Sequence, residues 1–158
     1  KKFAYDALLY HLGDMYMPTP RSYRLREVED LYYWLDQIHP TVIPLLGNHD
    51  SRKNIKTGVE EMIVRIGKRT RVFMSHYPQT VMPINLCGHV HDTWRINYVN
   101  NMFCINVGVD MWNYEPIEWT QIQQIMQNHR DFYTGKGGDM RPILNERLWR
   151  TRAEQRDE

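Results

Sequence analysis

A chain of 158 residues is enough for one domain and short of two. Twenty basic residues against 19 acidic ones leave a formal charge of +1, which excludes a global basic field for nucleic acid and an acidic solvating tail. A hydrophobic share of 42% with 12% aromatic excludes disorder as the main state.

The longest apolar runs, such as Val42 to Leu46, are far too short to span a bilayer, so no membrane partner is expected. Cys87 and Cys104 are the two cysteines, too few for a disulfide framework. No long apolar region or small-residue cleavage site follows Lys1 and Lys2. A reduced, cytoplasmic setting is the expectation.

Taken in order, Phe3 to Leu12 is apolar and ends at Gly13-Asp14, which predicts a buried strand running into a loop. Pro18 and Pro20 make the next stretch irregular. Leu25, Val28, Leu31, Tyr32, Leu35 and Ile38 then recur at helical spacing, with Glu27, Glu29, Asp30 and Asp36 off that stripe. This is an amphipathic helix ended by Pro40. Thr41 to Leu46 predicts a second buried strand, stopping at Gly47.

From Met62 the period changes to two. Met62 to Ile66 and Arg71 to Ser75 predict a strand pair about Gly67-Lys68, and Ile84 to Cys87 a short strand. Trp94 to Val99 and Met102 to Val107 flank Asn100-Asn101, a hairpin signal. Thr120 to Gln123 fits a capping box, with Ile122, Ile125 and Met126 as the apolar face of a helix reaching about His129. The expected fold class is α/β: mixed sheets with helices outside. The expected domain is 1–130, followed by a mixed-charge extension over 131–158.

The polar residues cluster at strand ends. Gly13-Asp14, Gly47-Asn48-His49-Asp50, Ser75-His76-Tyr77-Pro78 and Gly88-His89-Val90-His91-Asp92 each follow a predicted strand. Open α/β sheets bind ligands beyond the carboxyl ends of their strands. Imidazole, carboxylate and amide oxygen without thiolate suit Mn²⁺, Fe or Zn²⁺. His89 and His91 stand two apart, so one loop could face two neighbouring metals.

These motifs, in this order, resemble the calcineurin-like metallophosphoesterase family, and Asn106-Val107-Gly108-Val109-Asp110 resembles its small bacterial and phage members. The resemblance covers roughly residues 5 to 126. It implies an α/β/β/α sandwich and hydrolysis of a phosphate ester at a two-metal site. Asp14 matches the carboxylate bridging the metals. Asn48, His76 and His89 match the other ligands of the second metal, and His91 a ligand of the first. His49 matches the histidine that protonates the leaving oxygen, and Asp50 the carboxylate that orients it. Nucleic acid enters only as one kind of phosphate-ester substrate.

Two departures stand out. The family's opening Asp-x-His motif, which ligates the first metal, does not occur here, and Met17 replaces a supporting carboxylate. The expectation is that a strand carrying Asp-x-His precedes Lys1. The alternatives are a separate N-terminal fragment supplying it, or a non-catalytic binding or structural protein that keeps the fold after losing the first metal site.

Other residues receive plainer readings. His11 is expected to be a hydrogen-bonded core residue, and His39 and His129 to lie at helix ends or on the surface. Cys87 is expected to be buried and apolar in role. Arg52 is a weak candidate for substrate phosphate, beside Lys53. Trp112, Asn113 and Tyr114 either wall the site or pack. Gly135-Lys136-Gly137-Gly138 lacks the spacing and preceding strand of a phosphate loop.

Overall fold

The structure is a computed structural model that describes residues 4, 6–15, 35–50, 55 and 58–139. The described residues form two sheets. In the first, β1 (Leu8–Leu12) lies parallel to β2 (Thr41–Leu45), with Leu8 opposite Thr41 and Leu12 opposite Leu45. The second contains β3 (Glu61–Ile66), β4 (Thr70–Ser75), β5 (Ile84–Cys87), β6 (Ile96–Val99) and β7 (Met102–Asn106), in the order β3-β4-β5-β7-β6. Its three central strands are parallel, and the outer two pair antiparallel.

Local chemistry accounts for both hairpins. In β3, Met62, Val64 and Ile66 turn inward while Glu61, Ile63 and Arg65 are exposed, the alternation of a half-buried strand. Gly67 supplies the positive φ, 64°, for the turn into β4. Between β6 and β7, Asn100 and Asn101 both adopt positive φ, 53° and 62°, as a twist-matched two-residue turn requires.

Register sorts the side chains of the second sheet. Met74 lies opposite Leu86, and Leu86 opposite Ile105, so these residues share a face. They join Leu12 and Leu45 of the first sheet in one buried cluster with Val72 and Phe103. Removing such a side chain from water stabilises the fold by about 1.5–3 kcal/mol. The helix α1 (Trp119–Tyr133) completes the cluster with Ile122 and Met126. The α/β class expected from the sequence is what the molecule shows.

Several boundaries move. β1 begins at Leu8 rather than Phe3, and β6 at Ile96 rather than Trp94. α1 is capped at Glu118, whose N–H donates to Gln121 Oε1 at 2.9 Å, so the capping box lies two residues before Thr120. The helix also runs on to Tyr133, past the expected domain limit at residue 130. The bond from Gln127 to Asp131 spans its last turns. Of the first predicted helix, only Leu35 and Asp36 fall among the described residues, and both are helical.

His129 is not a surface residue. It is 6% exposed, ringed by Tyr98, Phe103 and Tyr133 at centroid distances of 4.6, 5.1 and 4.6 Å. The longer helix carries it over the β6–β7 hairpin. His39 is exposed.

Candidate metal centre

The carboxyl ends of β1, β2, β4 and β5 meet at one rim. Asp14 leaves β1 through Gly13, whose φ is 92°, and itself sits at φ 57°. Gly47 after β2 must be a glycine, because a Cβ there would collide with the Asp14 backbone nitrogen and carboxylate. Asp50 locks the two loops together: its Oδ2 accepts the N–H of Asp14 at 2.6 Å and that of Gly47 at 2.8 Å. The N–H of His49 donates to Asp14 Oδ1 at 2.9 Å.

His76 is 3% exposed and lies at the centre of the rim. Its Nδ1 is 2.9 Å from the carbonyl oxygen of Leu12, which can only accept, so Nδ1 carries the proton. The other nitrogen, Nε2, lies 2.8 Å from Asn48 Oδ1 and 3.4 Å from Asp14 Oδ2. His89 Nδ1 lies 3.0 Å from the same Asn48 oxygen and 3.1 Å from His76 Nε2. Tyr77 packs its ring on both imidazoles, at 5.1 and 4.6 Å.

The lone pair on His76 Nε2 is open to a donor hydrogen or a metal ion, and His89 Nδ1 and oxygens of Asn48 and Asp14 converge on it. Two ligand atoms, each about 2.1 Å from one ion at right angles, stand about 3.0 Å apart. The spacings of His76, Asn48 and His89 fit that distance, so this donor set suits an ion. No trio of His, Cys, Asp and Glu side chains among the described residues is already arranged as a metal cage. The converging set instead depends on the amide oxygen of Asn48.

His91 lines the same pocket as Asp14, His76 and His89 but pairs with Asp110. Its side chain is 79% exposed, and Nδ1 lies 3.5 Å from Asp110 Oδ2. The structure therefore brings Asp14, Asn48, His76 and His89 together, places the backbone of His49 and the carboxylate of Asp50 beside them, and pairs His91 with Asp110. Arg52 and Lys53 lie outside the described residues.

Asp14, His89 and His91 all have left-handed backbones, with φ of 57°, 63° and 45°. Such a conformation costs a residue with a side chain about 1–3 kcal/mol, and strain of this kind gathers at functional sites.

Asn106, fully buried on β7, holds the His89–His91 loop in place. Its Nδ2 donates to the carbonyls of His91 and Trp94 at 2.6 and 3.0 Å, and its Oδ1 accepts from Gly108 N–H at 3.0 Å. Trp112 packs: its Nε1 donates to the Asn106 carbonyl, and Arg95 lies over its ring at 4.8 Å. Asn106 and Asp110 were visible in sequence only as part of a motif, with no signal for these tasks.

His11 is half-buried on β1 and its Nδ1 finds no partner, unlike the bonded residue expected. Burial lowers its pKa below the usual histidine value, against the opposing pull of Asp50 and Asp14. Cys87 and Cys104 are buried with sulfurs 3.8 Å apart. Their shared hydrogen bond, then burial, pushes the Cys87 thiol up, so it stays protonated and apolar in role.

No protein-family model and no curated protein matches the chain. Among solved structures it is similar to Vacuolar Protein Sorting 29 from Cryptosporidium parvum, at 20% identity, over 65% of this chain and 74% of that one, with a TM-score of 0.39. The described residues form a mixed α/β fold with two sheets and a loop-built polar rim. None of its described helices is long and apolar enough to cross a membrane.

Proposed function

We propose that this chain hydrolyses phosphate esters with the help of a divalent transition metal, Mn²⁺, Fe or Zn²⁺, held by Asn48, His76, His89 and Asp14. The observation that carries the reading is the contact of His76 Nε2 with Asn48 Oδ1 at 2.8 Å, made by a nitrogen whose proton is committed to the other side of the ring. Four donors from four strand-end loops, two of them imidazoles, converge closely enough to share one metal ion. The four motifs in order, and their resemblance to metallophosphoesterases, support the same reading.

A bound ion would supply Lewis acidity toward phosphoryl oxygen and an activated water. The chain's own residues do the rest. The carboxylate of Asp14 and the amide oxygen of Asn48 would offer such an ion its negative and dipolar ligands. His49 is exposed and tethered through its backbone to Asp14, so its ring is free to meet the leaving oxygen and give it a proton. Asp50 keeps the two loops in register while this happens.

A second reading is a metal-binding protein without catalysis. The observation favouring it is the side chain of His91, 79% exposed and paired with Asp110, which weakens the ligand set for a second metal. Hydrolysis of p-nitrophenyl phosphate and bis(p-nitrophenyl) phosphate by the purified chain with Mn²⁺ separates the readings. Turnover abolished by His76→Ala supports catalysis. Metal binding without turnover on either ester supports the second reading, and the absence of both defeats the two together.

A further inference from the structure

We propose that Asp110 is a positioning residue for His91: its carboxylate draws the imidazole proton onto Nδ1 and leaves Nε2 bare as a ligand for a further divalent ion, beside the one at Asn48. The role rests on the metal reading above and adds a residue that no strand-end motif assigns. His91 Nδ1 stands 3.5 Å from Asp110 Oδ2. That is just beyond the usual hydrogen-bond range of about 2.7–3.2 Å, and a small turn of the exposed ring closes it. An ionised carboxylate can only accept, so the nitrogen that faces it carries the proton.

The turn after β7 is built to deliver that carboxylate. Asn106 Nδ2 donates to the His91 carbonyl at 2.6 Å and fixes the backbone of the loop. Asp110 lies on the 3₁₀ turn Val109–Met111, whose Met111 N–H donates to the Gly108 carbonyl at 3.0 Å. Arg95 grips the far side of that turn through the Met111 carbonyl, at 3.0 and 2.7 Å. A Cβ on Gly108 would stand 2.7 Å from Asp110 Oδ1, so the glycine leaves the room that the carboxylate occupies. In Asn106-x-Gly108-x-Asp110, one residue therefore holds the backbone of His91, one clears a space and one meets the ring.

His76 shows the same device in another form. Its Nδ1 proton goes to the Leu12 carbonyl, and its Nε2 is left for the rim. Histidines that bind metals ordinarily pass their other N–H to a carboxylate or a carbonyl in this way. Without such a partner, a neutral imidazole in water prefers the proton on Nε2, which leaves that nitrogen unable to bind. The side chain of His91 is 79% exposed, so the carboxylate of Asp110 is what sets its tautomer. His91, Asp110, Asp14 and His89 line one cavity, where Asp14 is the carboxylate that a further ion would share. An exposed imidazole holds its ion weakly, and Asp110 keeps it a ligand at all.

The test uses the whole chain labelled with ¹⁵N. Long-range ¹H–¹⁵N spectra of the metal-free protein at pH 8.5 report which ring nitrogen of His91 carries the proton. We expect Nδ1–H in the wild type and a shift to Nε2–H as the major form in Asp110→Ala. Gly108→Ala should shift it the same way, because the added methyl displaces the carboxylate while a φ of −55° suits alanine. Titration with Mn²⁺ should show one tight ion and one weaker, with the weaker affinity reduced at least tenfold in Asp110→Ala. In a His91→Ala background, Asp110→Ala should cost nothing further. Thermal melts confirm that each variant folds.

Nε2–H in the wild type overturns the proposal, and so does an unchanged tautomer in Asp110→Ala. A further tenfold loss from Asp110→Ala in the absence of His91 would make Asp110 a ligand itself, not a positioning residue. A wild type that binds one ion alone removes the ligand role, while the proposed function, which uses the ion at Asn48, stands. A wild type that binds none defeats that function, and the tautomer still decides what Asp110 does for His91.

Discussion

Asp50 Oδ2 accepts the backbone N–H of Asp14, 36 positions earlier, at 2.6 Å, and the same oxygen holds Gly47 N–H at 2.8 Å. This one carboxylate oxygen ties the loop after β1 to the loop after β2. The sequence pointed to Asp50 as the residue that orients His49; the structure shows it setting the geometry of the loops from which Asp14, Asn48 and His49 project.

Asp50→Ala is therefore expected to destabilise the fold by about 1–3 kcal/mol, the cost of leaving two part-buried donors without their acceptor. Asp50→Asn should cost less, because an amide oxygen can still accept. Urea denaturation of the three proteins measures this. A loss confined to activity, with stability unchanged, would show that the loop tie carries little free energy.

His76→Ala and Asn48→Ala should each weaken Mn²⁺ or Zn²⁺ binding by at least about tenfold, the smallest loss typical even of residues one shell further out. We expect one tight metal per wild-type chain. Asn48→Asp should keep the ion while changing its affinity. Elemental analysis after dialysis, with titration of each variant, provides the numbers. Wild-type affinity in Asn48→Ala would remove the amide from the ligand set.

His49 gives a different signature. Loss of a proton donor costs about 10²–10⁴-fold in rate when the leaving group needs protonation. His49→Ala should therefore slow an alkyl phosphate far more than a nitrophenyl phosphate, at unchanged metal content. The comparison is kcat/KM on both esters with metal measured on the same samples. Lost metal in this variant would make His49 a ligand.

His129 predicts an acid sensitivity remote from the rim. Burial among aromatic rings lowers its pKa from the usual histidine value near 6.5. The unfolded chain then binds the proton more readily than the folded one. Stability from this residue is fully present above about pH 6.5 and is lost as pH falls through the lower folded-state pKa. His129→Leu should narrow the difference in Tm between pH 7.5 and pH 5. An undiminished difference would place the acid sensitivity in other groups.

Strand ends and hairpins could be read from sequence because glycine and asparagine punctuate period-two segments, as at Gly67 and at Asn100-Asn101. The start of α1 was harder: Glu118 to Gln121 and Thr120 to Gln123 both offer a capping pattern, and the packing of Ile122 and Met126 on the sheets decides between frames two residues apart. The missed end of the helix explains the missed burial of His129. In the rim, the histidines and Asn48 were legible because chemistry at strand ends is conspicuous. The pairing of His91 with Asp110, and the hub at Asn106, depend on how a loop folds back on β7, which no periodicity records.

The left-handed backbones at Asp14, His89 and His91 set a direction for protein engineering. Glycine adopts that conformation without the penalty a side chain incurs. A screen for thermostability alone would thus favour glycine at the positions that give the rim its carboxylate and imidazoles. Heat-selected variants of this chain are expected to shed their chemistry first, so such a screen needs a paired selection for bound metal.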